Sequence, residues 1–365
     1  MCGIVGATSE RNITPILLEG SRRLEYRGYD SAGIAVIDRA HHLKRVRIQG
    51  KVQALSNALQ ETAITGHLGI AHTRWATHGK PSEVNAHPQM SHGKIAVVHN
   101  GIIENHEHLR EKLLKLGYEF TSETDTEVAA HLIHFYYEKH SDLLRAVQDA
   151  AQDMSGAFAL GVIHEQLPHL LVALRKGSPL VVGIGTSEHF IASDILALQS
   201  FAHAVIYLEE GESVRLNTHT LELFNAKRKS ITPTPHKLSL EAHHAIKGTY
   251  RHFMQKEILE QPHVLTTTLE GRTNTLALLR ASFGDYLLKI FHQIKHIHLV
   301  ACGTSYHAAL VGRYWLESLT PFPVQVEIAS EYRYRDNVVL PDTLFIAISQ
   351  SGETADLLAA VQKAK

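Results

Sequence analysis

Cysteine is nearly absent: Cys2 and Cys302 are the only two in 365 residues. Two thiols exclude a disulfide scaffold, and a reducing cytoplasm is the expected compartment. Charge of one sign is missing as well. Lys plus Arg is 36 against 37 for Asp plus Glu, a net charge of -1 with an isoelectric point near 7.2. No broad basic field is therefore available to hold nucleic acid or an anionic membrane, and a small molecule is the expected partner. No apolar run approaches the roughly 18 residues of a membrane span. Glu10 and Arg11 interrupt the opening stretch almost at once, so a secretory leader is not expected. The 27 histidines raise the question of a metal, but neither HExxH nor paired CxxC and HxxxH spacing occurs; neither metal nor cofactor is expected.

What is present begins at the first six residues, Met1-Cys2-Gly3-Ile4-Val5-Gly6. The small Cys2 side chain permits removal of Met1, which would leave a thiol and a free α-amine on one residue. An α-amine titrates at roughly 7.7–8.0 and a free thiol near about 8.5. Near neutral pH the amine can therefore take the thiol proton during attack on a carbonyl, directly or through one water. Ile4 and Val5 read as the start of a buried strand that holds Cys2. The alternative is an ordinary cysteine at a frayed terminus.

The length suits two modules. Thr14-Pro15 reads as the entry to a helix that ends by Gly28. Strands are expected over 33–37, 68–72, 95–98, 157–162, 170–174 and 204–208, with helical spacing over 107–116 and 126–154. The run Lys227–Leu238, basic and proline-containing without a periodic apolar face, reads as a linker. Beyond it, β-rich runs at 297–301, 324–328 and 343–349 alternate with helical patterns such as 305–319, the signature of a parallel α/β sheet. The last residues fall inside a helical pattern, so this second module is expected to be cut short.

Four stretches carry possible chemistry. After the strand at 68–72, Arg74 can clamp a carboxylate through two parallel hydrogen bonds, or serve only as a surface ion-pair partner. Trp75, in a loop bounded by Gly and Pro, suits a lid or a core aromatic. Asn100-Gly101 at a strand end can aim two donors at an oxyanion, or simply form a turn. Asp125, at a helix entry, can bind an ammonium group, cap the helix, or both. In the second module, Cys302-Gly303-Thr304-Ser305 and Ser349-Gln350-Ser351-Gly352-Glu353-Thr354 each follow a buried strand and open a helix, a pair of phosphate-binding elements in one sheet.

Taken in order, Met1–Gly6, Arg22–Ser31, His72–Gly79, Val98–Asn105 and Glu123–Glu127 resemble the glutaminase domain of the class II glutamine amidotransferases, within the N-terminal nucleophile hydrolases. The resemblance implies that the fold is an α+β four-layer αββα sandwich. It also implies that Cys2 attacks the side-chain amide of glutamine with its α-amine as base and that Asn100 and Gly101 form the oxyanion hole. Arg74 and Asp125 would hold the α-carboxylate and α-ammonium, and Thr77 and His78 would line the glutamine pocket together with Gly101. The second half resembles a sugar isomerase (SIS) domain, an incomplete α/β parallel sheet, and Lys247–Ile258 (KGTYRHFMQKEI) fits the branch that joins it to such a glutaminase. By that resemblance, ammonia travels internally to fructose 6-phosphate, Trp75 gates its route, and Thr304, Ser305, Ser349, Gln350, Ser351 and Thr354 hold the sugar phosphate. Expected bounds are 2–226 for the glutaminase, 227–245 for the linker and 246–365 for the isomerase portion, with a homodimer when full-length. Competing readings are another class II amidotransferase, though neither a Gly-rich ATP loop nor a phosphoribosyl signature follows residue 240, or a non-catalytic sugar-phosphate sensor. Cys302 reads as a path-lining residue or a buried strand-end residue.

Overall fold

The computed structural model describes residues 2–76, 79–238, 249–269, 273–274, 277–278, 291, 293–350, 352 and 354–365. It divides into two compact units, Met1–Ile246 and Lys247–Lys365.

The first unit contains β1 (Gly3–Ser9), α1 (Thr14–Arg23), β2 (Ser31–Ile37), β3 (Leu43–Gln49), α2 (Val52–Thr62), β4 (Leu68–Arg74), β5 (Gln89–Ser91) and β6 (Ile95–Ile103). Then follow α3 (His106–Lys115), α4 (Asp125–His140), α5 (Leu143–Asp153), β7 (Gly156–His164), β8 (Leu171–Lys176), β9 (Val181–Ile184) and β10 (Glu188–Ala192). It closes with β11 (Ala204–Tyr207), β12 (Ser213–Leu216), β13 (Leu221–Phe224), β14 (Ser230–Ile231) and β15 (His236–Lys237). One antiparallel sheet has the order β15-β11-β9-β10-β1-β4-β2-β3, the other β14-β13-β12-β8-β7-β6-β5.

The period of two along a strand decides what each sheet faces. In β1, Val5 and Ala7 pack on Ile16 and Leu17 of α1, whereas Ile4 joins Ala96, Val98 and Ala159 of the opposite sheet. In β6, Val97 packs with Val128 and Leu132 of α4, while Ala96 and Val98 face back toward Ile4. Helices therefore cover the outer face of each sheet and apolar side chains fill the seam between them, the expected αββα sandwich. Gly33 of β2 is needed for close approach: a Cβ there would lie 2.3 Å from the His87 carbonyl oxygen, so the bare backbone lets the loop before β5 lie against the sheet.

Two local expectations are revised. The helical spacing over 126–154 is broken into α4 and α5, with Ser141 at φ 51° and Asp142 accepting the Arg145 N–H at 3.1 Å. Asp at an N-cap starts a new helix that apolar periodicity alone does not reveal. The stretch from Lys227, read as linker, supplies β14 and β15, which pair with β13 and β11. Two-residue edge strands separated by prolines are too short to show alternation, and proline is tolerated at an edge. Residues 239–248 lie outside the described residues.

In the second unit, α6 (Phe253–Leu269) and the short antiparallel pair β16 (Thr273–Asn274) and β17 (Ala277–Leu278) precede β18 (His296–Ala301), α7 (Gly303–Leu319), β19 (Val324–Ile328), α8 (Ala329–Tyr334), β20 (Thr343–Ile348) and α9 (Ala355–Ala364). β18 pairs in parallel with both β19 and β20, Ala301 standing opposite Ile328 and Ile348. All three strands thus end on the same side, where the helix entries converge.

Candidate active site

The alternation that packs the seam also builds the site at its mouth. Ile4, Ile70 and Val98 point into the seam. Two residues from each stand Cys2, His72 and Asn100, and Arg74 lies two further along β4. Register places Gly3 beside Thr73 and Ile4 beside His72, so the start of β1 abuts the end of β4. Asn100 Nδ2 donates to the Cys2 carbonyl at 3.3 Å, and the His72 Nε2 to Asn100 Oδ1 distance is 2.9 Å. Two side-chain contacts therefore join the sheets beside the thiol.

The Trp75 N–H donates to Cys2 Sγ at 3.2 Å, and the Trp75 carbonyl oxygen lies 3.4 Å from the same sulfur. Burial pushes the Cys2 thiol above its ordinary value; the Trp75 backbone and Arg74 pull it back only in part. A thiol raised in this way is a weaker nucleophile near neutral pH than a free one, and a neighbouring base would activate it. The Trp75 ring itself is more than half exposed. It flanks Gly28, where a Cβ would come within 3.1 Å of the ring and φ is +74°.

Arg74 is 2 % exposed, which removes the reading of a surface ion-pair partner. Burial draws its guanidinium downward, opposed by Asp30, Cys2, Asp125 and Glu123 in that order. Nη2 donates to the Gly79 carbonyl at 3.0 Å. Asp125 opens α4, but the N-cap is Thr124, whose side chain accepts the Glu127 N–H at 3.3 Å. Asp125 Oδ2 instead accepts the Ile103 N–H at 3.0 Å. The cap and the candidate ammonium ligand are thus separate residues. Gly101 has φ +109° and a Cβ there would sit 2.0 Å from the Ala157 carbonyl oxygen, so no side chain fits beside Asn100. Thr77 and His78 lie outside the described residues.

Sequence reasoning assigned no role to two residues here. Asp30 Oδ2 accepts the Ala76 N–H at 2.6 Å, and the Asp30 N–H donates to the Arg74 carbonyl at 2.8 Å, so it anchors the loop beside the thiol. Its place in the Tyr29-Asp30-Ser31 match was the available signal. His72 is the other; its position at the end of an apolar alternation concealed it.

Burial also holds imidazoles neutral: His72 is drawn down to about 3, and His131 and His164 to about 4. Between pH about 6.5 and those values the unfolded chain binds protons that the folded chain does not, so stability rises with pH across that window. Each such histidine contributes a slope of about 1.4 kcal/mol per pH unit. The urea midpoint at pH 5 should therefore fall well below that at pH 7, and equal midpoints would contradict the burial.

In the second unit, Cys302 is half-buried and forms the N-cap of α7, with Thr304 and Ser305 in its first turn. Thr354 is the N-cap of α9; Ser349 Oγ stands 3.3 Å from Thr354 Oγ1 and accepts the Gly352 N–H at 2.9 Å. Parallel register brings these two helix entries together beyond Ala301 and Ile348, with Gln350 between them in sequence. Ser351 lies outside the described residues.

Known proteins show the same division. Residues 72–200 match the family model of a glutamine amidotransferase domain and residues 290–365 that of a SIS domain. The first unit shares its fold with the glutamine phosphoribosylpyrophosphate amidotransferase of B. subtilis, at TM-score 0.55 and 24% identity over 63% of this chain and 50% of that one. The chain thus carries a region similar to glutamine amidotransferase domains, followed by one similar to SIS domains. Curated proteins named glutamine–fructose-6-phosphate aminotransferase [isomerizing] are 66% identical in Legionella pneumophila (strain Paris), 54% in Pseudomonas aeruginosa and 52% in Haemophilus influenzae, each over all 365 residues. The chain spans 60% of the length of these relatives.

Proposed function

We propose that the chain carries the glutamine-hydrolysing half-reaction of a glutamine–fructose-6-phosphate aminotransferase. The observation that supports this best is the convergence of the Cys2 thiol, the Asn100 carboxamide and buried Arg74 at one end of the intersheet seam.

With Met1 removed, the Cys2 α-amine takes the thiol proton as Sγ bonds to the side-chain amide carbon of glutamine. The carbonyl π pair moves to oxygen, where Asn100 Nδ2–H and the Gly101 N–H receive it. Collapse breaks the C–N bond, the protonated amine returns its proton to the leaving nitrogen, and ammonia departs from a thioester. Water then releases glutamate. Arg74 and Asp125 hold the substrate's α-carboxylate and α-ammonium, and Thr77 and His78 line its pocket. In the full-length enzyme Trp75 gates the departure of ammonia toward fructose 6-phosphate, which becomes glucosamine 6-phosphate, and Thr304, Ser305, Ser349, Gln350, Ser351 and Thr354 hold the sugar phosphate; this chain alone is at best a glutaminase. A cytoplasmic location, a homodimer when full-length, and the absence of nucleic-acid or membrane partners complete the reading. In its support, no helix among the described residues is long and apolar enough to cross a membrane.

Arg74→Lys tests the carboxylate clamp. It keeps a cation among Asp30, Asp125 and Glu123 but loses the planar fork, so KM for glutamine in a glutamate-release assay should rise about tenfold or more, with a smaller change in kcat. An unchanged KM would remove Arg74 from the substrate site.

A further inference from the structure

The side-chain amide of Asn100 has two ends that a carbonyl oxygen and a proton donor can tell apart. Its nitrogen faces the Cys2 carbonyl, which can only accept, at 3.3 Å. Its oxygen therefore faces His72 Nε2, at 2.9 Å, and that ring nitrogen must carry the proton. One of the two amide N–H bonds is occupied by the Cys2 carbonyl, which leaves the second for an oxyanion. Were the amide turned over, its oxygen would face the developing negative charge and repel it.

The surroundings keep this arrangement fixed. His72 is 1 % exposed and lies against His87, ring centroids 4.4 Å apart, with His99 a further 6.4 Å beyond His87. His87 is itself buried and neither of its ring nitrogens has a hydrogen-bond partner, so it closes off His72 without competing for the Asn100 oxygen. Gly33 lets the loop bearing His87 press onto β2. Burial holds His72 as the neutral ring, with one N–H to give.

We infer that His72 is a positioning residue for the oxyanion hole: its Nε2–H, donated to Asn100 Oδ1, holds the carboxamide with its NH₂ end toward the nucleophile. The inference rests on the proposed glutaminase chemistry at Cys2. His72 itself touches neither substrate nor sulfur; it acts through Asn100.

The test separates amide hydrolysis, which builds an oxyanion, from alkylation of the same sulfur by iodoacetamide, which displaces iodide and builds none. In the Met1-free chain, His72→Phe should lower kcat for glutamine about 10- to 100-fold, with KM within about threefold, because a misdirected donor is lost in part or whole. Alkylation of Cys2, followed by peptide mass mapping, should keep its rate. His72→Gln, which can donate an N–H to the same oxygen, should recover most of the loss. Unchanged kcat in His72→Phe, or a parallel fall in hydrolysis and alkylation, would overturn the inference while leaving the glutaminase reading intact. Failure of the unsubstituted chain to hydrolyse glutamine would overturn both. A measurement needing no folded variant is the nitrogen-15 NMR of the unsubstituted protein: His72 should be the Nε2–H tautomer, and an Nδ1–H tautomer would contradict the proposal.

Discussion

Cys2→Ala should lower glutamine hydrolysis on the order of 10⁴-fold or more, since a missing nucleophile leaves only what binding and the oxyanion hole supply. The Trp75 N–H holds the Cys2 sulfur at 3.2 Å, and alanine leaves no nucleophile in its place. The fold should tolerate the change, because Cys2 lies before β1 begins at Gly3 and its backbone carbonyl, which engages Asn100, is retained. The checks are the rate of glutamate release and the unfolding midpoint measured side by side. Equal rates in the two proteins would instead favour a non-catalytic sensor, in which the Thr304 and Ser351 loops bind a sugar phosphate and the first unit is scaffold.

Asn100→Ala should have the next largest effect. Removing one preorganised donor from an oxyanion hole typically costs about 10²–10³ in kcat, or roughly 2.7–4 kcal/mol of transition-state stabilisation. KM for glutamine should move little, because the carboxamide meets the oxygen most strongly once charge has developed on it. Part of the loss has a second cause. His72 Nε2–H, buried with Asn100 Oδ1 as its acceptor at 2.9 Å, would be left unpaired. Stability should therefore fall by about 1–3 kcal/mol in urea titration. A large rise in KM with kcat preserved would show that Asn100 binds substrate and does not stabilise charge.

Much of the site was legible because its residues cluster into short runs. Arg74, Asn100-Gly101 and Asp125 each stand at or just before the start or end of an element, where glycine and hydroxyl punctuation marks them. Whether Asn100-Gly101 was a turn or a donor pair could not be read from the dipeptide. The register excludes the turn: both residues continue β6, opposite Ala159 and Phe158. What stayed hidden depends on contacts far apart in sequence. His72 meets Asn100 across 28 positions and Asp30 meets Ala76 across 46, and no local pattern encodes either contact. Among the strands, β9 (Val181–Ile184) and β13 (Leu221–Phe224) are four residues each, too short for alternation to stand out. Short edge strands in the stretch read as linker escaped for the same reason.

The central claim is that a sulfhydryl at the start of the mature polypeptide cleaves a carboxamide, with the amine of the same residue as its base. The most direct test is mass mapping of the Met1-free chain after incubation with 6-diazo-5-oxonorleucine, an electrophilic glutamine mimic, beside the same chain with Met1 retained. In the retained form the Cys2 nitrogen is an amide and cannot act as base. A stoichiometric adduct is expected on the Cys2 peptide of the trimmed chain, little on the untrimmed one, and none on Cys302. A trimmed chain that hydrolyses no glutamine and carries no adduct at Cys2 would contradict it.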